Sequence, residues 1–244
     1  MIGFLFLTYD NIYNEKVWKE YFKGANQEEY KIFVHPKNIN EIKNQDLFKN
    51  YIISERCETA WGKFSLVGAQ RLLMKEALKT EQIKHVIIVS HNSLPLTSFR
   101  YLYDYLKGKG SLIGYGVSSA WQHTMRYDRL KNPNFPKNKF YIQAQWSILS
   151  REDAEILVNE GDLIKNIFGN MIIPDEHAYI NYLTHYKNKN IENKRIAHIH
   201  WENGTPKIFD HLSNDYIKAA KQGGAFFIRK VNNNAKLDVN YLLS

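Results

Sequence analysis

The run Ile2-Gly3-Phe4-Leu5-Phe6-Leu7-Thr8 limits the possible folds more than any other stretch of the chain. It is apolar throughout instead of alternating, the pattern of a strand buried on both faces inside a parallel sheet. Val86-Ile87-Ile88-Val89-Ser90 repeats the pattern. Between them, Asn11 to Lys23 carries Val17, Tyr21 and Phe22 at helical spacing, and Tyr30 to Val34 reads as a strand stopped by His35-Pro36-Lys37. A strand–helix–strand opening builds an open α/β sheet, in which ligands bind beyond the carboxyl ends of the strands. The polar turn His91-Asn92-Ser93 is therefore expected to wall a site.

The remaining segments extend this α/β pattern. Tyr51 to Ile53 suggests a short strand, and Leu66 to Leu78 is an amphipathic helix with Leu66, Ala69, Leu73 and Ala77 on one face. Ser98 to Leu106 reads as helix, and Gly108 to Lys139, rich in Gly, Asn, Pro and Lys, reads as a mobile loop. Phe140 to Leu149 predicts one strand, followed by a helix over Arg151 to Asn159 capped by Ser150. Beyond a linker at Lys187 to Lys194, Ile196 to Trp201 predicts a strand and Leu212 to Lys221 a helix. Ala225 to Lys230 predicts the last strand. Neither an internal repeat nor a low-complexity block is present. The 244 residues suit one large domain or two small ones; a single domain is expected, with a first half (1–107) binding a nucleotide and a second (108–244) carrying the acceptor and the chemistry.

Composition narrows the function. The net charge of +8 favours anionic partners, a nucleotide or an acidic membrane surface, but it is spread out. No basic block marks a nucleic-acid tail, so nucleic acid is not expected as a partner. Sixteen tyrosines and five tryptophans supply flat faces with a polar edge, which sugars and bases both use. One cysteine, Cys57, excludes an internal disulfide and a cysteine-based zinc site. The longest apolar run at the N-terminus is too short for a signal peptide or a membrane span, and with the single cysteine this leads to an expectation of a cytoplasmic protein.

Familiar motifs are missing: no P-loop, no G-x-G-x-x-G, no G-x-S-x-G and no D-x-D. His198 and His200 share one side of a strand and could join His177 or His185 around a metal. No carboxylate accompanies them, so they read as packing residues. The stretch Ile173-Pro174-Asp175-Glu176-His177-Ala178-Tyr179-Ile180-Asn181-Tyr182-Leu183 opens like a helix, with Pro and two acids in its first turn. Helical spacing puts Glu176 on the side of Tyr179, Ile180 and Leu183. An inward carboxylate there suits a general base, whereas Asp175 reads as a cap.

Five segments taken in order resemble one family. Thr59 to Leu73, which includes Trp61-Gly62-Lys63-Phe64-Ser65, resembles the W-G-x-x-S-x-x-x-A segment of the core-2/I-branching β-1,6-N-acetylglucosaminyltransferases, a glycosyltransferase family 14-like group, and is closest to the plant-like branch. Ser90 to Leu96 resembles their L-S-x-x-x-x-P-L, Gln145 to Arg151 their S-Q-W-x-x-x-x-R, Pro174-Asp175-Glu176 their P-D-E, and Phe226 to Lys230 their F-A-R-K. The resemblance implies a GT-A-like glycosyltransferase fold: a mixed, mostly parallel sheet flanked by helices, with a Rossmann-like N-terminal half. It also implies inverting transfer from a UDP-sugar to a glycan hydroxyl without a metal or other cofactor, the sugar being N-acetylglucosamine in the namesake enzymes. Glu176 falls on the family's base, and Lys230 and Lys207 on cations that stabilise the UDP leaving group. His35, Ser90 and Asn92 fall near the donor. Trp201, Glu202, Trp146, Arg126 and Tyr127 fall on the acceptor side. Two positions depart from the family pattern: His35-Pro36 and Ser93 stand where relatives often carry an acid. The competing readings are a sugar- or nucleotide-binding protein that lacks catalysis and, further off, a nucleic-acid-binding protein.

Overall fold

The computed structural model describes residues 1–42, 48–119, 126–130 and 135–244. Its strands are β1 (Ile2–Thr8), β2 (Tyr30–Pro36), β3 (His85–Ser90), β4 (Leu94–Pro95), β5 (Leu112–Ile113), β6 (Tyr115–Val117), β7 (Tyr141–Gln143), β8 (Ile148–Ser150), β9 (Glu192–Asn193), β10 (Ala197–Ile199), β11 (Trp201–Glu202), β12 (Thr205–Pro206), β13 (Phe209–His211), β14 (Phe227–Arg229) and β15 (Val231–Lys236). The α-helices are α1 (Glu15–Lys23), α2 (Ser65–Leu78), α3 (Phe99–Tyr105), α4 (Arg151–Asn159), α5 (Gly161–Phe168), α6 (Ala178–Asn181), α7 (Asn214–Gln222) and α8 (Val239–Leu243).

A six-stranded sheet in the order β2-β1-β3-β8-β5-β9 organises the molecule. β1 lies parallel to both β2 and β3, and all seven of its residues are buried, as its unbroken apolar run requires. Its alternate side chains serve two layers. Phe4 and Phe6 meet α1, with Phe6 4.8 Å from Trp18 and Phe4 5.1 Å from Phe22, edge to face. Gly3 faces the other way, where an added Cβ would lie 3.6 Å from Ala77 of α2. β8 then reverses direction against β3 and β5, so the sheet is mixed. A smaller sheet, β10-β14-β4, stands beside it and sets the direction in which Arg229 leaves β14.

Two arginines tie the helices together. Arg151 donates to the Leu78 and Thr80 carbonyls at 2.9 and 3.0 Å, closing the C-terminus of α2. Arg71 does the same for α4, donating to Leu157 and Val158 at 3.0 and 2.8 Å. A Cβ at residue 161 would fall 1.4 Å from the Arg71 guanidinium carbon, so Gly161 is the space that lets Arg71 in.

Several boundaries differ from expectation. β2 does not stop at Val34 but continues through His35 to Pro36; as an edge strand it tolerates the missing N–H. α1 starts at Glu15, not Asn11. Residues 49–51 form a 3₁₀ turn, and Ile52 makes a single bridge to Val34, so Tyr51 to Ile53 is no strand. The stretch expected as a loop, Gly108 to Lys139, contributes β5 to the central sheet as well as β6. Residues 120–125 and 131–134 of that stretch lie outside the described residues. Phe140 to Leu149 is two strands in two sheets, since β7 pairs with β6 and β8 with β3. Ile196 to Trp201 is likewise split between β10 and β11. β14 is not the last strand, because β15 and α8 follow it. The central sheet draws strands from both sides of residue 107. Among the described residues, no helix is long and apolar enough to cross a membrane.

Candidate active site

The segment opening at Pro174 is not one helix. It is a 3₁₀ turn over Pro174–Glu176, then α6, then a π-helical turn over Tyr182–Tyr186. Ile173 enters it in the left-handed region (φ 54°), and His177 breaks the path between the turn and α6 (φ −140°). The helical-face argument for Glu176 therefore fails, because residue 176 and residues 179–183 do not share one helix. Tyr179, Ile180 and Leu183 are buried, while the Glu176 side chain keeps 34% of its surface.

Asp175 is the inward acid. It is 6% exposed, and its Oδ1 is buried with no hydrogen-bond partner. Burial first, then the neighbouring Glu176 carboxylate, push its pKa from 3.8 up to about 7, with Arg126 pulling the other way. Asp175 does not stand at the cap position of this turn, which is held by Ile173, a residue with no capping side chain.

Glu176 is positioned by a chain of hydrogen bonds. Arg126 Nη1 contacts Glu176 Oε2 at 2.7 Å and also donates to His177 Nε2 at 2.9 Å. His177 Nδ1 lies 2.7 Å from the Tyr141 carbonyl, which can only accept. The imidazole therefore holds its proton on Nδ1 and receives Arg126 on Nε2. The ring is fully buried and stacked on Phe140, with centroids 4.6 Å apart and planes 5° apart. Arg126 and His177 thus orient Glu176 from below. Tyr127 is also internal: its hydroxyl donates to the Phe135 carbonyl and its ring sits edge-on to Phe140 at 5.3 Å. Arg126 and Tyr127, expected as acceptor contacts, support the site from within.

The cationic side forms where β14 ends. Lys230 is half-buried, and its ammonium has no acidic partner among the described residues. Burial and the adjacent Arg229 lower its pKa. Arg229 was not singled out from the sequence. Its guanidinium lies 4.6 Å from the centroid of the Trp146 ring, its Nε is buried without a partner, and burial lowers its pKa to about 10. His91 feels the same field: burial, then Arg229, bring its pKa down to about 4, Asp10 opposing and Lys230 adding. Its ring is edge-on to Tyr9 at 5.7 Å and to Tyr13 at 5.0 Å. Positive charge is thus concentrated beyond the carboxyl ends of β1 and β3, where this kind of sheet binds ligands. The clue in the sequence was the two adjacent cations closing an apolar run.

Lys207 and Lys230 are brought together by the backbone, Lys230 N–H donating to the Lys207 carbonyl at 3.4 Å. The Lys207 ammonium, however, is paired with Glu202 at 2.6 Å and lies over the Phe209 ring. Trp201 is 57% exposed at the start of the β11–β12 hairpin, beside Glu202. Trp146 is buried beneath Arg229, so it belongs to the cationic side. The Ser90 hydroxyl is spent within its own turn, on Asn92 Oδ1 at 2.9 Å and Ser93 Oγ at 2.7 Å. His35 is fully buried, with Nε2 accepting the Cys57 N–H at 3.1 Å, and so has no surface to offer a donor.

One segment links the two sides. Gln143 donates to the Asp175 carbonyl at 3.2 Å and accepts from Ile180 N–H at 2.6 Å. Trp146 follows three residues later, a span of at most about 10 Å. Residues 143–146 therefore hold the acidic turn and the cationic pair in one neighbourhood. Among the described residues, no group of three or more His, Cys, Asp or Glu side chains gathers as a metal site.

A family model described as Core-2/I-Branching enzyme matches residues 2–221. The chain belongs to the Core-2/I-Branching enzyme family. A curated relative in this comparison, Glycosyltransferase BC10 of Oryza sativa subsp. japonica, is 26% identical over 167 residues, 67% of this chain. The match spans 41% of that relative's length. Among solved structures, apo mouse xyloside xylosyltransferase 1 aligns over 97% of this chain and all of its own, at 10% identity and a TM-score of 0.44. A197 from STIV covers 64% of this chain and 68% of its own, at 10% identity and a TM-score of 0.29.

Proposed function

We propose that this member of the Core-2/I-Branching enzyme family is an inverting, metal-independent glycosyltransferase that moves a sugar from a UDP-sugar to a glycan hydroxyl. The observation that carries this reading is the pair Arg229 and Lys230. Two half-buried cations without an acidic partner among the described residues are costly in a folded chain unless an anion arrives. A departing UDP supplies that anion, and its charge grows as the glycosidic bond breaks. Fixed cations then stabilise the transition state more than the ground state.

Glu176 is the general base of this mechanism. Held through Arg126 and His177, its carboxylate takes the proton of the acceptor hydroxyl as the oxygen attacks the anomeric carbon. Attack from the side opposite the leaving UDP inverts that carbon. In this reading Trp201 and Glu202 serve the acceptor, since an exposed indole stands next to an acid that can bind sugar hydroxyls. The partners are a UDP-sugar and a glycan.

The test is Glu176→Gln. UDP affinity should stay within about twofold while transfer falls by ~100-fold or more, the scale of a lost general base. A variant that transfers at the wild-type rate removes Glu176 from the mechanism. A wild-type protein that binds UDP and transfers no sugar to any glycan makes it a binding protein of this family.

A further inference from the structure

A cavity borders the acidic turn. It encloses about 560 Å³ between Trp61, Gly62 and Lys63 on one wall and Gly169 to Ile172 on the other, with Arg129 at its edge. That volume lies within the range of about 300–1,000 Å³ typical of small-ligand sites. Trp61 is 77% exposed, the most open large apolar side chain of the described residues. The turn presenting it is well held: Gly62 is buried with φ +71°, and Ala60 N–H donates to Ser65 Oγ at 3.0 Å. The indole is thus displayed by a defined backbone, although displaying it to water costs burial energy.

The charges of the cavity are equally one-sided. Lys63 and Arg129 are both exposed, and neither makes an ion pair among the described residues. No acid occurs among the lining residues. A flat apolar face beside two cations matches a sugar ring that carries a carboxylate or a sulfate ester. The indole takes the C–H face of the ring and the cations take the anion.

The cavity wall also leads directly along the chain into the turn that carries the proposed base. Ile173 N–H donates to the Gly62 carbonyl at 3.0 Å, stitching the two walls together one residue before Pro174. Glu176 follows Ile172 by four residues, on the same short stretch of chain.

We propose that this cavity is an acceptor subsite for an acidic saccharide unit, with Trp61 as platform and Lys63 and Arg129 as its anion contacts. The inference rests on the glycosyltransferase reading above, since it names the chemistry of the acceptor. An acceptor glycan bearing a uronate or sulfated residue next to the reacting hydroxyl is held at both points, which fixes the hydroxyl near Glu176.

Ligand-observed NMR titrations test it, with methyl β-glucuronide, glucose 6-sulfate and neutral methyl β-glucoside as probes. Wild-type protein should bind at least one charged probe about tenfold more tightly than the neutral one. Lys63→Ala/Arg129→Ala should cut that preference to within about twofold, with UDP affinity and melting temperature unchanged. Trp61→Ala should weaken charged and neutral probes alike. Equal binding of all three probes to wild type overturns the proposal, as does a preference that survives in the double variant. UDP is titrated into the same samples. Loss of the charge preference with UDP binding intact counts against the subsite alone, whereas wild-type protein that fails to bind UDP counts against the donor reading.

Discussion

Replacing Asp175 by Asn should make the protein more stable at and above neutral pH, by an amount that grows between about pH 4 and pH 7 and then levels off. Folding raises this carboxyl from 3.8 to about 7. Between those values the folded chain keeps a proton that the unfolded chain has released, so stability falls as pH rises through the window. Above it, wild type carries the whole penalty. At ~1.36 kcal/mol per pH unit the shift corresponds to about 4 kcal/mol. Asn carries no charge and escapes this term, at a cost of about 1 kcal/mol if its amide finds no partner. The net gain above pH 8 should therefore be about 2–3 kcal/mol, and near pH 4 the variant should be equal to wild type or slightly less stable. Urea denaturation of both proteins at pH 4, 5, 6, 7 and 8 measures this directly. His35, His85, His91 and His198, all with lowered values, push stability the other way with pH. They are common to both proteins and cancel in the difference. A difference that stays constant from pH 4 to pH 8 refutes the buried, protonated Asp175.

Arg229→Met should lower UDP affinity by about 10–100-fold, the worth of one charge-assisted hydrogen bond, while leaving the melting temperature unchanged or higher because a buried charge is gone. Unchanged UDP affinity by calorimetry removes Arg229 from the donor site. Lys230→Ala should reduce kcat as well as UDP affinity, with a transition-state cost of ~2–4 kcal/mol, and Lys230→Arg should rescue only part. Combined with Lys207→Ala, the loss should be strongly non-additive if both ammonium groups serve the same two phosphates, and strict additivity in a double-mutant cycle excludes Lys207. UDP binding and transfer should both persist in EDTA, and activity that vanishes with chelator and returns with manganese overturns the metal-free mechanism.

The regular elements were legible wherever the signal is local. The apolar run at Ile2 to Thr8 has a single stable environment, between two strands and two helical layers, and it occupies that environment. Ser98, Ser150 and Ser213 cap their helices because a hydroxyl before a helical run satisfies a free N–H whatever lies elsewhere. The short motifs in order were enough to recognise the family. Within Gly108 to Lys139 the same signals were silent, because β5 is only two residues long and exists through its pairing with β8 and β9. A two-residue strand has no periodicity to read.

What the sequence determined by itself is therefore the α/β character, the parallel core strands and the residue types that make the site worth seeking. The tertiary structure decided which of two adjacent acids faces inward. Helical periodicity pointed to Glu176, but the left-handed entry at Ile173 and the break at His177 turn Asp175 into the protein and leave Glu176 to Arg126. It also set Arg229 against Trp146, 83 positions earlier in the chain, and left its Nε without a partner. Burial and charge pairing depend on which distant segments meet, and that follows from the order of strands in the sheets, not from the spacing of residues along the chain.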